Sequence, residues 1–83
     1  MAGTETLDRP LTPRQKQVLV AIERWHRVHG YAPTTRELTE EIGLSSPSTL
    51  HHHLYLLRLA GAVTWRAGEA RTLTITEAGR SAL

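Results

Sequence analysis

The chain has 83 residues, 40% hydrophobic and 22% charged, a net charge of +2 and no cysteine. That length allows one domain with a modest core, and the composition excludes a disordered tail. A disulfide framework and a thiolate metal site are excluded with the cysteines, and no apolar run approaches the ~20 residues that span a bilayer.

Met1–Asp8 lacks the basic start and apolar stretch of a secretion signal, so the cytoplasm is the expected location. Residues 1–10 carry no periodicity and read as a loose arm. Thr12-Pro13-Arg14-Gln15 then gives a strong helix start, with Thr12 as N-cap, Pro13 first in the helix and Gln15 closing a capping box. This helix should run to His29 and stop at Gly30. Val18, Leu19, Ile22 and Trp25 fall on its core side.

Tyr31-Ala32-Pro33 cannot continue the helix. Thr34 and Glu37 repeat the capping-box spacing, so a second, short helix starts there with Leu38 and Ile42 turned inward. Glu37, Glu40 and Glu41 should make its far side acidic. Gly43 ends it, and Ser46-Pro47 opens a third helix with Ser46 as N-cap. Leu50, Leu54 and Leu57 repeat at i, i+4, i+7, one buried stripe. That helix should end near Ala60-Gly61.

Beyond Gly61 the period becomes alternating. Val63 and Trp65 face one way, Leu73 and Ile75 return, and Ala67–Ala70 makes the turn between them. Thr76 then offers a cap for one last helical turn. The expected fold is mainly α (α+β): three helices and a two-stranded hairpin, a winged helix-turn-helix over 11–75, with 76–83 a short C-terminal helix or tail.

The outer side of the third helix is unusual. Ser48, Thr49, His51, His52 and Tyr55 are short or planar polar side chains that suit a DNA major groove. With Leu50 inward, Ser48 and His52 lie mid-face. Ser46 serves as a cap and is also a candidate for a phosphate. Thr35 and Arg36 open the second helix, where an N-terminus can approach the backbone. Arg66 and Arg71 flank the hairpin turn, where a wing would meet phosphates or the minor groove. Nine of the ten basic residues are Arg, which favours planar contacts to phosphate and guanine.

His51-His52-His53 does not make a metal site, because consecutive helical residues point ~100° apart. No nucleophile, base and acid form a catalytic constellation. No cofactor, metal, membrane or small-molecule substrate is expected.

Leu11-Thr12-Pro13-Arg14-Gln15, Gly30-Tyr31-Ala32-Pro33-Thr34, Arg36-Glu37-Leu38, Ile42-Gly43-Leu44 and Ser46–Leu54 together resemble the N-terminal DNA-binding domain of LexA repressors. The resemblance covers roughly residues 11–75. It implies a bacterial, phage or plasmid regulator that binds a palindromic operator on double-stranded DNA as a homodimer, controlling DNA-damage (SOS) genes. LexA repressors also carry a second, self-cleaving domain with a Ser/Lys pair, which these 83 residues do not contain. The chain then reads as a free-standing relative or as the DNA-binding piece of a longer repressor. Winged helices also serve as docking or dimerisation modules, and Leu56 and Leu59 on the outer side of the third helix keep that alternative open.

Overall fold

A computed structural model describes residues 10–83, so the expected N-terminal arm lies almost wholly outside the described residues. Helix α1 spans Pro13–His29, α2 Thr35–Ile42 and α3 Pro47–Leu59. Strands β1 (Val63–Thr64) and β2 (Thr74–Ile75) follow, then α4 (Glu77–Ser81).

The start signals act as local chemistry requires. The Thr12 hydroxyl accepts from the Gln15 amide while the Gln15 side chain accepts from the Thr12 amide. Thr34 and Glu37 repeat this reciprocal pair at α2. Each pair satisfies two of the amides that a helix start leaves without partners. Ser46 caps α3 by accepting from the Thr49 amide, and Pro47 needs no donor there. Gly43 ends α2 at φ 84°, a left-handed conformation that costs glycine nothing. Its amide and that of Leu44 both bond to Thr39 O, which turns the chain sharply from α2 into α3.

The core forms where the apolar stripes meet. Val18, Leu19 and Ile22 of α1, Leu38 of α2, and Leu50, Leu54 and Leu57 of α3 are all buried. Ala62, Val63, Leu73 and Ile75 close the open side of this cluster. A fully buried aliphatic side chain contributes roughly 1.5–3 kcal/mol. Trp25 departs from its expected core position. It is half-buried, stacked on His29 at 3.9 Å with Tyr31 edge-on at 6.5 Å, so it extends the core as an aromatic cluster at the end of α1.

The hairpin is shorter than its alternation predicts. Only Val63 with Ile75 and Thr64 with Thr74 pair, antiparallel. The reason lies at Arg71, which takes φ 60° and cannot extend a ladder. Side-chain bonds close residues 65–73, the wing, in place of strand pairing. The Arg66 amide donates to the Thr72 hydroxyl at 2.9 Å, and that hydroxyl donates to Glu69 O at 3.1 Å.

Helix α4 is tied to the rest of the fold. Thr76 caps it by accepting from the Gly79 amide, and its own amide donates to Ala62 O. Ala78 and Gly79 are buried, and Arg80 reaches Glu23 of α1 at 2.8 Å. Among the described residues, no helix is long and apolar enough to cross a membrane.

Candidate nucleic-acid interface

Burying Leu50, Leu54 and Leu57 fixes the rotation of α3 and therefore decides what it presents outward. Ser48, Thr49, His51, His52 and Tyr55 are exposed. Ser46 is half-buried and occupied as a cap, and its hydroxyl also lies 3.2 Å from that of Thr49. His53 faces the core border. Burial, then His52 and Arg14, hold its imidazole below the ordinary histidine value.

A concavity of about 600 Å³ lies beside this helix. It is lined by Thr35 and Arg36 of α2, His51 of α3, and Trp65, Arg71 and Leu73 of the wing. Four of the residues singled out from the sequence thus share one recess, although they come from three separate stretches. Ser48, Thr49, His52 and Tyr55 continue the surface along α3. Arg36 projects from the first turn of α2 and is exposed.

The two wing arginines part company. The side chain of Arg66 is 78% exposed, with one long ion pair to Glu69 at 3.5 Å. Such a surface pair holds little energy, so Arg66 is available to a phosphate. Arg71 is engaged instead. Its Nη1 donates to Glu37 Oε1 at 3.0 Å and its Nη2 to Glu37 Oε2 at 3.2 Å. Nη1 also donates to Ala32 O at 3.0 Å, and the guanidinium lies 4.6 Å from the centre of the Tyr31 ring. The Arg71 hydrogen bond, then the Thr34 amide, hold the Glu37 carboxyl below its ordinary value. Glu37 therefore does not belong to the acidic far side of α2, which is left to Glu40 and Glu41, both exposed.

Arg58 carries a role that the sequence does not signal. Its guanidinium stands 4.3 Å from the centre of the Trp65 ring and donates to Trp65 O at 3.3 Å. The last turn of α3 is thereby tied to the base of the wing. Nothing local marks a contact between an Arg and a Trp seven residues on across a turn. Among the described residues, no three His, Asp or Glu side chains gather as a metal site requires.

The LexA DNA binding domain family matches residues 8–72, most of the chain and every residue named around the recess except Leu73. The chain belongs to that family. This LexA-family chain is 38% identical over 65 residues to a LexA repressor of Pseudomonas aeruginosa PAO1, covering 78% of the chain and 32% of that protein. It is 43% identical over 67 residues to a LexA repressor of Lacticaseibacillus casei BL23, covering 81% of the chain and 32% of that protein. With a LexA repressor of Thermobifida fusca YX it shares 48% identity over 61 residues, 72% of the chain and 24% of that protein. The LexA-family chain thus spans about a third or less of the length of these relatives.

Proposed function

We propose that this chain is a sequence-specific, double-stranded DNA-binding transcriptional regulator, a LexA-like repressor module. It lays α3 in the major groove of a palindromic operator, of the kind that controls DNA-damage genes. The observation that carries this reading is the outer face of α3, where Ser48, Thr49, His51, His52 and Tyr55 stand exposed. Short polar side chains there let the helix axis approach base edges closely. Arg36 at the start of α2 and Arg66 on the wing supply phosphate contacts on either side. Base edges then set specificity, and phosphates set affinity and orientation. The chain performs no catalytic step in this account, and needs neither metal nor cofactor.

One domain reads one half-site, so a palindrome is served by two copies related by a two-fold axis. The functional unit on DNA is accordingly a homodimer in a bacterial nucleoid, and residues 11–75 are the DNA-binding unit. Selection from a duplex library with a randomised centre tests this. The expected enriched sequence is an inverted repeat with half-sites about one helical turn apart. Enrichment of no sequence would refute it and favour a docking module, a reading for which exposed Tyr55 and Leu59 on α3 are the argument.

A further inference from the structure

We infer that Glu37 and Arg71 form a strut that sets the angle of the wing against the helix-turn-helix, making Arg71 a positioning residue and leaving phosphate contact to Arg66. The inference rests on the DNA-binding reading above. The two capping boxes of the chain differ by one atom type. At α1 the box is closed by Gln15, whose amide oxygen accepts from Thr12 N at 2.9 Å. At α2 it is closed by Glu37, whose Oε1 accepts from Thr34 N at the same 2.9 Å. A neutral amide is thus sufficient for capping in this very chain, and the negative charge at residue 37 is surplus to that task.

The charge faces Arg71, 34 residues away in sequence. Both guanidinium nitrogens that point towards the carboxylate bond to it, a bidentate geometry that fixes direction as well as distance. Arg71 makes these bonds from φ 60°, an uncommon conformation for a residue with a side chain. Ala32 O and the Tyr31 ring hold the same guanidinium from below. Four independent features, namely backbone φ, bidentate pairing, a backbone acceptor and an aromatic face, converge on one side chain. The wing has only two pairs of strand residues at its root. Among the described hydrogen bonds, Arg71 is the one wing residue bonded to α2 or to the segment that precedes it.

Lysine keeps the charge of Arg71 but cannot make the forked contact, and Glu37→Gln keeps the cap but removes the charge. Arg71→Lys, Glu37→Gln and Arg71→Ala are therefore compared in two experiments. In the free protein, backbone ¹⁵N order parameters over 66–72 should fall in both Arg71→Lys and Glu37→Gln, from rigid values near 0.85 towards 0.6. Amide shifts in α1 and α3 should stay in place, which certifies the fold. On an operator duplex, both variants should lower the salt slope by ~0.9, because the misdirected wing loses the Arg66 phosphate. Combined with Arg66→Ala, Arg71→Lys should cause no further loss.

If Arg71→Lys binds and responds to salt as the unmodified chain does while Arg71→Ala does not, Arg71 is a direct phosphate ligand and the strut is refuted. Unchanged order parameters in Glu37→Gln refute it as well. Failure of the unmodified chain to prefer an operator would overturn the DNA-binding reading itself, which the measurement without DNA tells apart.

Discussion

Gly79→Ala places the heaviest demand on the packing described here. A Cβ at Gly79 would lie 2.2 Å from Ala62 O and 3.0 Å from the Ala62 carbonyl carbon and Cα. Carbon and carbonyl oxygen ordinarily approach no closer than about 3.3 Å, so roughly 1 Å must be found. The obstacle is backbone, not the end of a flexible side chain, and Ala62 O is already the acceptor for the Thr76 amide at 2.9 Å. Overpacking of this kind costs about 1–3 kcal/mol. Losing the Thr76 bond adds about 1 kcal/mol, and the better helix propensity of alanine returns up to about 1 kcal/mol. The net loss is about 2 kcal/mol, which lowers Tm by roughly 8–16 °C in a domain of this size. Thermal unfolding followed by far-UV circular dichroism reads it directly. A variant whose Tm stays within about 2 °C of the parent would refute the docking of α4 on Ala62. The test has added interest because α4 lies beyond the residues matched by the LexA family.

Three further outcomes follow from the site. His52→Ala should remove about 1–3 kcal/mol of discrimination between an operator and a single-base variant, with fold unchanged, in competition binding; undiminished discrimination would remove His52 from the base-reading face. Arg66→Ala should weaken all duplexes alike and reduce the magnitude of the log K against log salt slope by ~0.9, and an unchanged slope would exclude a phosphate at Arg66. Acid should expose the Glu37–Arg71 pair. Because the folded carboxyl titrates below its ordinary value of 4.5, the pair stabilises the fold above that value and the contribution is lost as pH falls through the folded pKa. Urea midpoints between pH 6 and pH 3 should therefore fall less in Glu37→Gln than in the parent, and parallel falls would contradict the assignment.

Local signals carried most of the architecture. Thr12 with Gln15, Thr34 with Glu37, and Ser46 with Pro47 each fixed a helix start, because capping is chemistry within four residues. The stripe of Leu50, Leu54 and Leu57 fixed the rotation of α3, and with it which side chains face outward. What local reasoning missed depends on distance in sequence. Arg71 and Glu37 are 34 residues apart, and no spacing rule joins them or signals the φ of Arg71 that shortens the hairpin. Arg58 meets Trp65 across the turn at Gly61, and Gly79 is needed by a backbone that passes over it from a different element. Trp25 shares the apolar side of α1 but is drawn to His29 and Tyr31 at the helix end. Exposure of the α3 face could be read from the sequence. The base that each side chain would read under the proposed function could not, since that depends on the angle at which a helix enters a groove.

Operator recognition requires that this small domain prefer an operator to other DNA. Fluorescence anisotropy with a LexA-type palindromic duplex and a scrambled duplex of equal length, each at two salt concentrations, measures that preference. Tighter binding to the palindrome that survives the higher salt is the predicted result, with both duplexes weakening as phosphate contacts are screened. Equal binding to the two duplexes, collapsing together with salt, would reduce α3 to part of a basic surface and contradict the central claim.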